Sequence, residues 1–332
     1  MDIFRSLDFR NYFTNNPIQT TIIVLTAASV ALLKKWLSGK SCHSFNRLDG
    51  KTVIITGGNT GIGKETAIDL SRRGASIILA CRDVKKGKDA VKDIQFITGN
   101  SNIKFMQLDL ASFNSIRSFS EEVLKSEPQI HILINNAGLG ATPFQKTQEG
   151  YEMQFGVNHL GHFLLTLLLL DRIKSSAPAR IINVSSMAYK YGKIKFDDLN
   201  SEKDYKPIPA YCQSKLANIY FTRELAKRLE GTNVTTYCLH PGVVDTELGR
   251  YLKDSSGFHY TIAFYITSKL FFKSTKQGAQ TTIYCAVAEE LANESGHFYT
   301  ECRRSRLNSN ATDDTVAEKL WKISEEMTGI TI

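Results

Sequence analysis

With 332 residues, 42% of them hydrophobic and 22% charged, the chain is neither disordered nor fibrous and holds material for one large core. Forty-one lysines and arginines against 33 acidic residues leave a net charge of +8, but the cations form no long run, which argues against a nucleic-acid partner. Six cysteines are scattered without a C-x-x-C pair, so neither a zinc site nor a disulfide framework is signalled, and a reducing compartment fits.

The first element is apolar. Between Arg10 and Lys34 lie 23 uncharged residues, and residues 18–33 are mostly aliphatic. That run is at the short edge of the roughly 17–25 residues a membrane-spanning helix needs. It ends in Lys34-Lys35-Trp36, a basic and aromatic boundary suited to a membrane interface. A cleaved signal peptide and an interfacial or core helix are the competing readings; no small-x-small site follows the run. Lys34, Lys35, Lys40 and Arg47 follow it, whereas the first ten residues are neutral overall, so the carboxy-terminal bulk is expected in the cytoplasm.

A βα unit begins at Lys51. The run TVIIT at 52–56 is β-branched, too short for a helix and apolar enough for a buried parallel strand. Gly57-Gly58-Asn59-Thr60-Gly61-Ile62-Gly63 follows and opens a helix at Lys64. Glycines at such a turn let the backbone approach a pyrophosphate, which rests on the amides of the helix N-terminus. The next strand, 75–80, runs into Cys81-Arg82-Asp83, with Arg82 nineteen residues beyond Gly63. An acidic residue near this place accepts ribose hydroxyls of NAD, whereas an arginine accommodates a 2′-phosphate. Arg82 therefore argues for NADP(H), and Asp83, one place on, leaves a minority case for NAD.

Further strands are predicted at 103–110, which carries Asp109 and Leu110, and at 130–134, before Asn135-Asn136-Ala137-Gly138. Two more are predicted at 180–184, before Ser185-Ser186, and at 234–239, before His240-Pro241-Gly242. Helical stretches separate them, so the expected fold is α/β: a single doubly wound parallel-sheet (Rossmann) domain over 49–332, preceded by an anchor and linker over 1–48. Ligands in such sheets bind beyond the carboxyl ends of the strands, where these polar clusters would converge.

Three of these residues suit proton chemistry. Tyr211 and Lys215 are four apart on the predicted helix 209–229 and share one face, with Ser186 after a strand end. A phenol titrates near 10, and a neighbouring ammonium is expected to lower that value toward the working pH. Ser186 is placed to donate a hydrogen bond to a substrate oxygen.

Together these motifs resemble the short-chain dehydrogenase/reductase family over about residues 49–302: Thr56-Gly57-x-x-x-Gly61-x-Gly63, Asn135-Asn136-Ala137-Gly138, Asn158, Ser186, Tyr211-x-x-x-Lys215 and Pro241-Gly242. The resemblance implies Tyr211 as acid/base, Ser186 as carbonyl orienter, Lys215 on the nicotinamide ribose and Asn158 in a water-linked proton relay. It also implies Asn136 in the cofactor cleft and Asp109 near the adenine.

The 25-residue gap from Ser186 to Tyr211, with Val157-Asn-His-Leu-Gly-His-Phe163 and Gly296-His-Phe-Tyr299, is similar to the retinol dehydrogenase branch. That branch implies an NADP(H)-preferring, membrane-anchored enzyme of the endoplasmic reticulum, with its active site in the cytosol and lipid droplets as a further location. The implied substrates are retinoids, with steroids or lipid aldehydes as alternatives; a non-catalytic NADPH sensor is the rival from another class. One departure is the small-residue loop Leu139-Gly-Ala-Thr-Pro143, which would border the substrate.

Three further expectations concern packing. Residues 258–272 hold six aromatics in fifteen positions and suit a substrate lid, a bilayer contact or a core helix. The leucine run 164–170 is too short to span a membrane and reads as a buried helix, to which the resemblance adds a role in a homodimer. His131, His159, His162 and His240 lack metal-ligand spacing and read as structural, and the last thirty residues read as a polar tail ending in one amphipathic helix.

Overall fold

The structure is a computed structural model, and it describes residues 16–244 and 272–331. In chain order the main elements are α1 (Pro17–Leu37), β1 (Thr52–Thr56), α2 (Gly61–Arg72), β2 (Ser76–Cys81), α3 (Val84–Thr98), β3 (Ile103–Gln107), α4 (Phe113–Ser126) and β4 (Ile132–Asn135). There follow α5 (Met153–Ser175), β5 (Ala179–Val184), α6 (Pro207–Arg228), β6 (Val234–Leu239), α7 (Thr275–Val287), β7 (His297–Thr300), β8 (Arg303–Ser305) and α8 (Asp314–Thr328).

The strands form one eight-stranded sheet in the order β3-β2-β1-β4-β5-β6-β7-β8. All neighbours are parallel except β7 and β8, an antiparallel edge pair that the sequence reading did not include. β1 shows why the interior strands form. All five of its side chains are buried, and alternation sends Val53 and Ile55 to one face and Ile54 to the other. On the first face they meet Ile68 and Leu70 of α2 and Ile283 of α7; on the second, Phe119 of α4, Phe163 of α5 and Phe221 of α6. Helices on both faces are what a parallel sheet needs, because neither face can meet water. Chain order reverses at β1, which pairs with β2 on one side and β4 on the other, and ligands bind at such a switch point.

α5 is long and apolar enough to cross a membrane, but 89% of its apolar window is buried inside the protein, so it is a core helix, as expected of the leucine run. Leu164, Leu165, Leu167, Leu169 and Leu170 are all enclosed by their own chain. Within the single chain these leucines serve the core, while Leu168 of the same run is only partly buried.

The amphipathic helix expected at the end of the chain is present as α8, but the stretch before it is not a plain polar tail. The stretch before α8 contributes β8 and a short 3₁₀ turn, and α8 docks into the core through Ala317, Leu320 and Trp321. Trp321 is 2% exposed, packed 4.9 Å from the Phe163 ring and 5.9 Å from the Phe221 ring, with the Arg228 guanidinium 4.3 Å from its centroid.

α1 leaves Ile18, Ile22, Ile23, Val24 and Leu25 exposed. The residues after it do not hang free. Lys40 N donates to Glu301 Oε2 at 3.0 Å, Cys42 N donates to Gln280 Oε1 at 3.0 Å, and Arg73 Nη1 donates to the carbonyls of Ser44 and Asn46. The expected linker is thus strapped to the sheet-bearing body. The aromatic stretch 258–272 lies, except for Phe272, outside the described residues.

Candidate active site

The carboxyl ends of β1, β2, β4, β5 and β6 open into one cleft of about 370 Å³. Gly57, Asn59, Thr60, Gly61, Ile62 and Gly63 line one end, Arg82, Asp109 and Leu110 a second wall, and Asn136, Ala137 and Gly138 the middle. Ser186, Tyr211 and Lys215 stand at the far end with Pro241 and Gly242. Of the expected catalytic and cofactor-binding residues all but Asn158 line the cleft; Asn158 is fully buried and bonded to Leu139, which does line it.

The glycine turn fits a dinucleotide. Gly57 has φ +64, a left-handed value that glycine adopts without strain. A Cβ on Gly63 would lie 2.4 Å from the Gly57 carbonyl oxygen and 2.6 Å from Asn136 Nδ2, so only glycine lets α2 start this close to β1. Thr60 caps α2 but its side chain makes no cap hydrogen bond, which leaves the first-turn amides and the helix dipole facing the cleft for an anion.

At the end of β2, Arg82 is exposed on the cleft wall. Asp83 is the N-cap of α3, and its Oδ1 accepts from Lys86 N at 2.9 Å. That contact turns the carboxylate to the helix, and Lys86, which the sequence reading missed, joins Arg82 in lining the cleft. The signal for it was an acidic N-cap followed three residues later by a lysine.

Geometry separates the two adjacent serines. Ser185 is buried and its Oγ donates to the Lys215 carbonyl at 2.7 Å. Ser186 caps the 3₁₀ turn Met187–Tyr191 and keeps its hydroxyl beside the Tyr211 phenol. Asn158 sits in a π-helical segment, Gly156–Leu160, inside α5, the kind of widened turn that occurs at functional sites. Its Oδ1 accepts from Leu139 N at 2.8 Å, and its Nδ2 donates to Leu139 O and to Ser214 Oγ, both at 2.9 Å. Ser214 Oγ in turn donates to the Tyr211 carbonyl at 2.8 Å. Asn158 therefore clamps the loop after β4 to the helix that carries the tyrosine.

The expected lowering of the phenol is overturned. Burial pushes the Tyr211 pKa up to about 12, opposed only in part by the Ser186 hydroxyl. Lys215 Nζ stands 5.9 Å from the ring centroid and donates to the Val184 carbonyl at 3.1 Å, while burial pushes its own pKa down to about 8. Helical spacing put the two groups on one face; it did not reveal that desolvation outweighs their attraction.

The histidines behave as structural groups. His131 Nδ1 accepts from Thr52 N at 3.1 Å, His159 Nε2 meets Ser324 Oγ at 2.9 Å, and His240 Nδ1 accepts from Gly242 N at 3.0 Å. Among the described residues no group of three or more His, Cys, Asp or Glu side chains could hold a metal ion.

Comparison with known proteins agrees with this geometry. The family model for short chain dehydrogenases matches residues 51–256. The chain belongs to the short-chain dehydrogenase/reductase family. Within it, the similarity is to the retinol dehydrogenase branch. "Retinol dehydrogenase 12" of Mus musculus is 50% identical over 310 residues, covering 93% of this chain and 95% of that protein. "Retinol dehydrogenase 13" of Homo sapiens is 49% identical over 309 residues, with 92% of each chain covered. Among solved structures, an uncharacterized protein from Mycobacterium Paratuberculosis superposes with a TM-score of 0.69 at 34% identity, covering 88% of this chain and 98% of that one. The chain is accordingly an oxidoreductase of this branch.

Proposed function

We propose that the protein interconverts retinal and retinol, or closely similar lipophilic aldehydes and alcohols, using NADP(H). Residues 1–48 serve as membrane anchor and linker and residues 49–332 as the catalytic unit, held at the endoplasmic reticulum membrane and facing the cytosol. The observation that carries this reading is the meeting of Ser186, Tyr211 and Lys215 at the end of the cleft away from the glycine turn, braced by Asn158. The names of the relatives support the substrate class, and the uncovered aliphatic side chains of α1, followed by Lys34, Lys35, Lys40 and Arg47, support the anchor and its orientation.

In this reading the turn from Gly57 to Gly63 holds the pyrophosphate, Arg82 and Lys86 the 2′-phosphate, and Asp109 and Leu110 the adenine end. Asn136, Ala137, Gly138, Pro241 and Gly242 border the nicotinamide end. A bound nicotinamide supplies the hydride for the carbonyl carbon in reduction and accepts it in oxidation. Tyr211, a neutral phenol at physiological pH, donates its proton to the carbonyl oxygen as charge develops there. Ser186 donates a hydrogen bond to the same oxygen and fixes its position. Lys215, still largely protonated below about pH 8, stabilises the tyrosinate left behind. Reversing each transfer oxidises the alcohol.

The test is NADPH consumption by membranes carrying the protein with all-trans-retinal, beside Tyr211→Phe. Loss of reduced-nicotinamide absorbance in the wild type alone, with NADPH binding kept in the variant, is expected. Binding of NADPH without turnover of retinal, steroid or lipid aldehydes would reject the enzyme reading in favour of a sensor.

A further inference from the structure

One buried group that the proposed chemistry leaves unused joins the two sides of the cleft. Thr56 ends β1 and is completely buried. Its hydroxyl oxygen accepts the backbone N–H of Asn136 and of Ala137, each at 2.9 Å. Those two donors fill the oxygen's lone pairs, so its own proton must be donated outward. Two acceptors are in reach, His162 Nε2 at 2.9 Å and Ile134 O at 3.4 Å, and the shorter contact takes it.

The other ring nitrogen fixes the assignment. His162 Nδ1 lies 3.1 Å from the backbone carbonyl oxygen of Asn158. A carbonyl only accepts, so Nδ1 must carry the ring proton, and Nε2 is then bare to receive the Thr56 hydroxyl. Both ends select the same tautomer. The ring is 2% exposed, and burial drives its pKa down to about 4, with the Lys215 cation pushing the same way. His159, the other titratable group facing it from α5, is held neutral by burial too. The result is a directed chain: the amides of Asn136 and Ala137 donate to Thr56, Thr56 to His162, and His162 to the Asn158 carbonyl.

We propose that His162 is a positioning residue: a neutral, Nδ1-protonated strut that holds the Asn158 carbonyl and, through Thr56, the Asn136–Ala137 turn at one fixed spacing. The Asn158 side chain grips Leu139 and, through Ser214, the Tyr211 carbonyl. The strut therefore registers the cofactor-side wall against the helix bearing the proton donor. It acts on the carbonyl of a residue inside the π-helical turn, a widened turn of the kind found at functional sites. Its kinetic consequence rests on the oxidoreductase reading above; its tautomer does not.

The experiment compares full-length wild type, His162→Phe and His162→Asn in detergent micelles, reading kcat and KM with retinal and the Kd of NADPH. The phenyl ring fills the space and makes neither bond. The shorter amide of His162→Asn still donates to the Asn158 carbonyl one turn back. Expected is a roughly 10- to 100-fold fall in kcat for His162→Phe, the scale of a misplaced reacting geometry, with NADPH affinity changed less than about threefold. His162→Asn is expected to recover most of that loss. Unchanged kcat in His162→Phe, no recovery in His162→Asn, or a kcat loss matched by lost NADPH affinity would each overturn the proposal. A His162→Phe that does not fold leaves the decision to the wild type: long-range ¹H–¹⁵N spectra of histidine-labelled protein are expected to show a protonated Nδ1 and a bare Nε2 at neutral pH. An Nε2-protonated ring or an imidazolium there refutes the strut whether or not any carbonyl is turned over. Conversely, a wild type that shows the expected tautomer but reduces no carbonyl rejects the oxidoreductase reading and leaves the strut in place.

Discussion

The choice between the two nicotinamide dinucleotides turns on one phosphate, and Arg82 is the group to perturb. Asp83, whose carboxylate would favour NADH in a ribose-facing pose, spends its Oδ1 on Lys86 N at 2.9 Å as the cap of α3. Arg82 and Lys86 thus stand together on the cleft wall as two cations, with Asp83 between them partly engaged as a helix cap. A charge-assisted hydrogen bond contributes about 1.5–3 kcal/mol, or roughly 10- to 150-fold in affinity. Both side chains are exposed, so solvent and salt screen the interaction, and Lys86 remains after Arg82 is removed. The lower part of that range applies. Arg82→Leu is therefore expected to weaken NADPH binding by about 10- to 30-fold and to change NADH binding by less than about threefold. Quenching of protein fluorescence on titration with each nucleotide measures both, and the wild-type preference for NADPH should shrink at high salt. Equal weakening of both nucleotides, or unchanged NADPH affinity, would show that the 2′-phosphate does not sit against this wall.

Two further outcomes follow from the packing and electrostatics. Trp321→Ala removes a fully packed indole from between Phe163, Phe221 and Arg228, and a loss of about 3–5 kcal/mol in denaturant unfolding is expected; a loss below about 1 kcal/mol would mean that α8 is not part of the core. The pH–rate profiles should diverge with direction: retinal reduction falls as pH rises through about 8, where Lys215 loses its proton, whereas retinol oxidation keeps rising toward the range of the Tyr211 phenolate. Parallel profiles in the two directions would contradict the assignment of the acid.

What could be read from the chain was what local pattern encodes. A five-residue β-branched run before a glycine turn reads as a buried strand feeding a helix, and Tyr211 and Lys215 at helical spacing share a face. What depends on distant partners was not legible. Thr56 and His162 are 106 positions apart, and neither carries a local mark of their contact. α8 reads as amphipathic from its sequence, but its docking into the core does not, because the residues it meets, Phe163, Phe221 and Arg228, lie far back in the chain. The linker reads as a free tether because the groups that fasten it, Glu301 and Gln280, lie at the other end of the chain.

The sign of the tyrosine shift is the most consequential of these differences. An exposed Tyr–Lys pair would stabilise phenolate and ammonium together. A desolvated pair is pushed the other way at both members, toward neutral phenol and neutral amine, because each charged form loses more hydration than its partner returns at this separation. With the phenol near 12 and the ammonium near 8, a neutral-pH site holds a protonated tyrosine beside a lysine that is still mostly charged. That combination is set to give a proton to an oxygen gaining negative charge and to stabilise the tyrosinate once it forms. Oxidation must begin by removing the proton that burial retains. Such asymmetry governs how the two rates depend on pH and leaves the equilibrium between carbonyl and alcohol untouched, since a catalyst stabilises one transition state for both directions. The net direction in the cell is then set by the supply of reduced and oxidised cofactor, and under the proposed NADP(H) reading Arg82 and Lys86 would choose which supply the protein draws on.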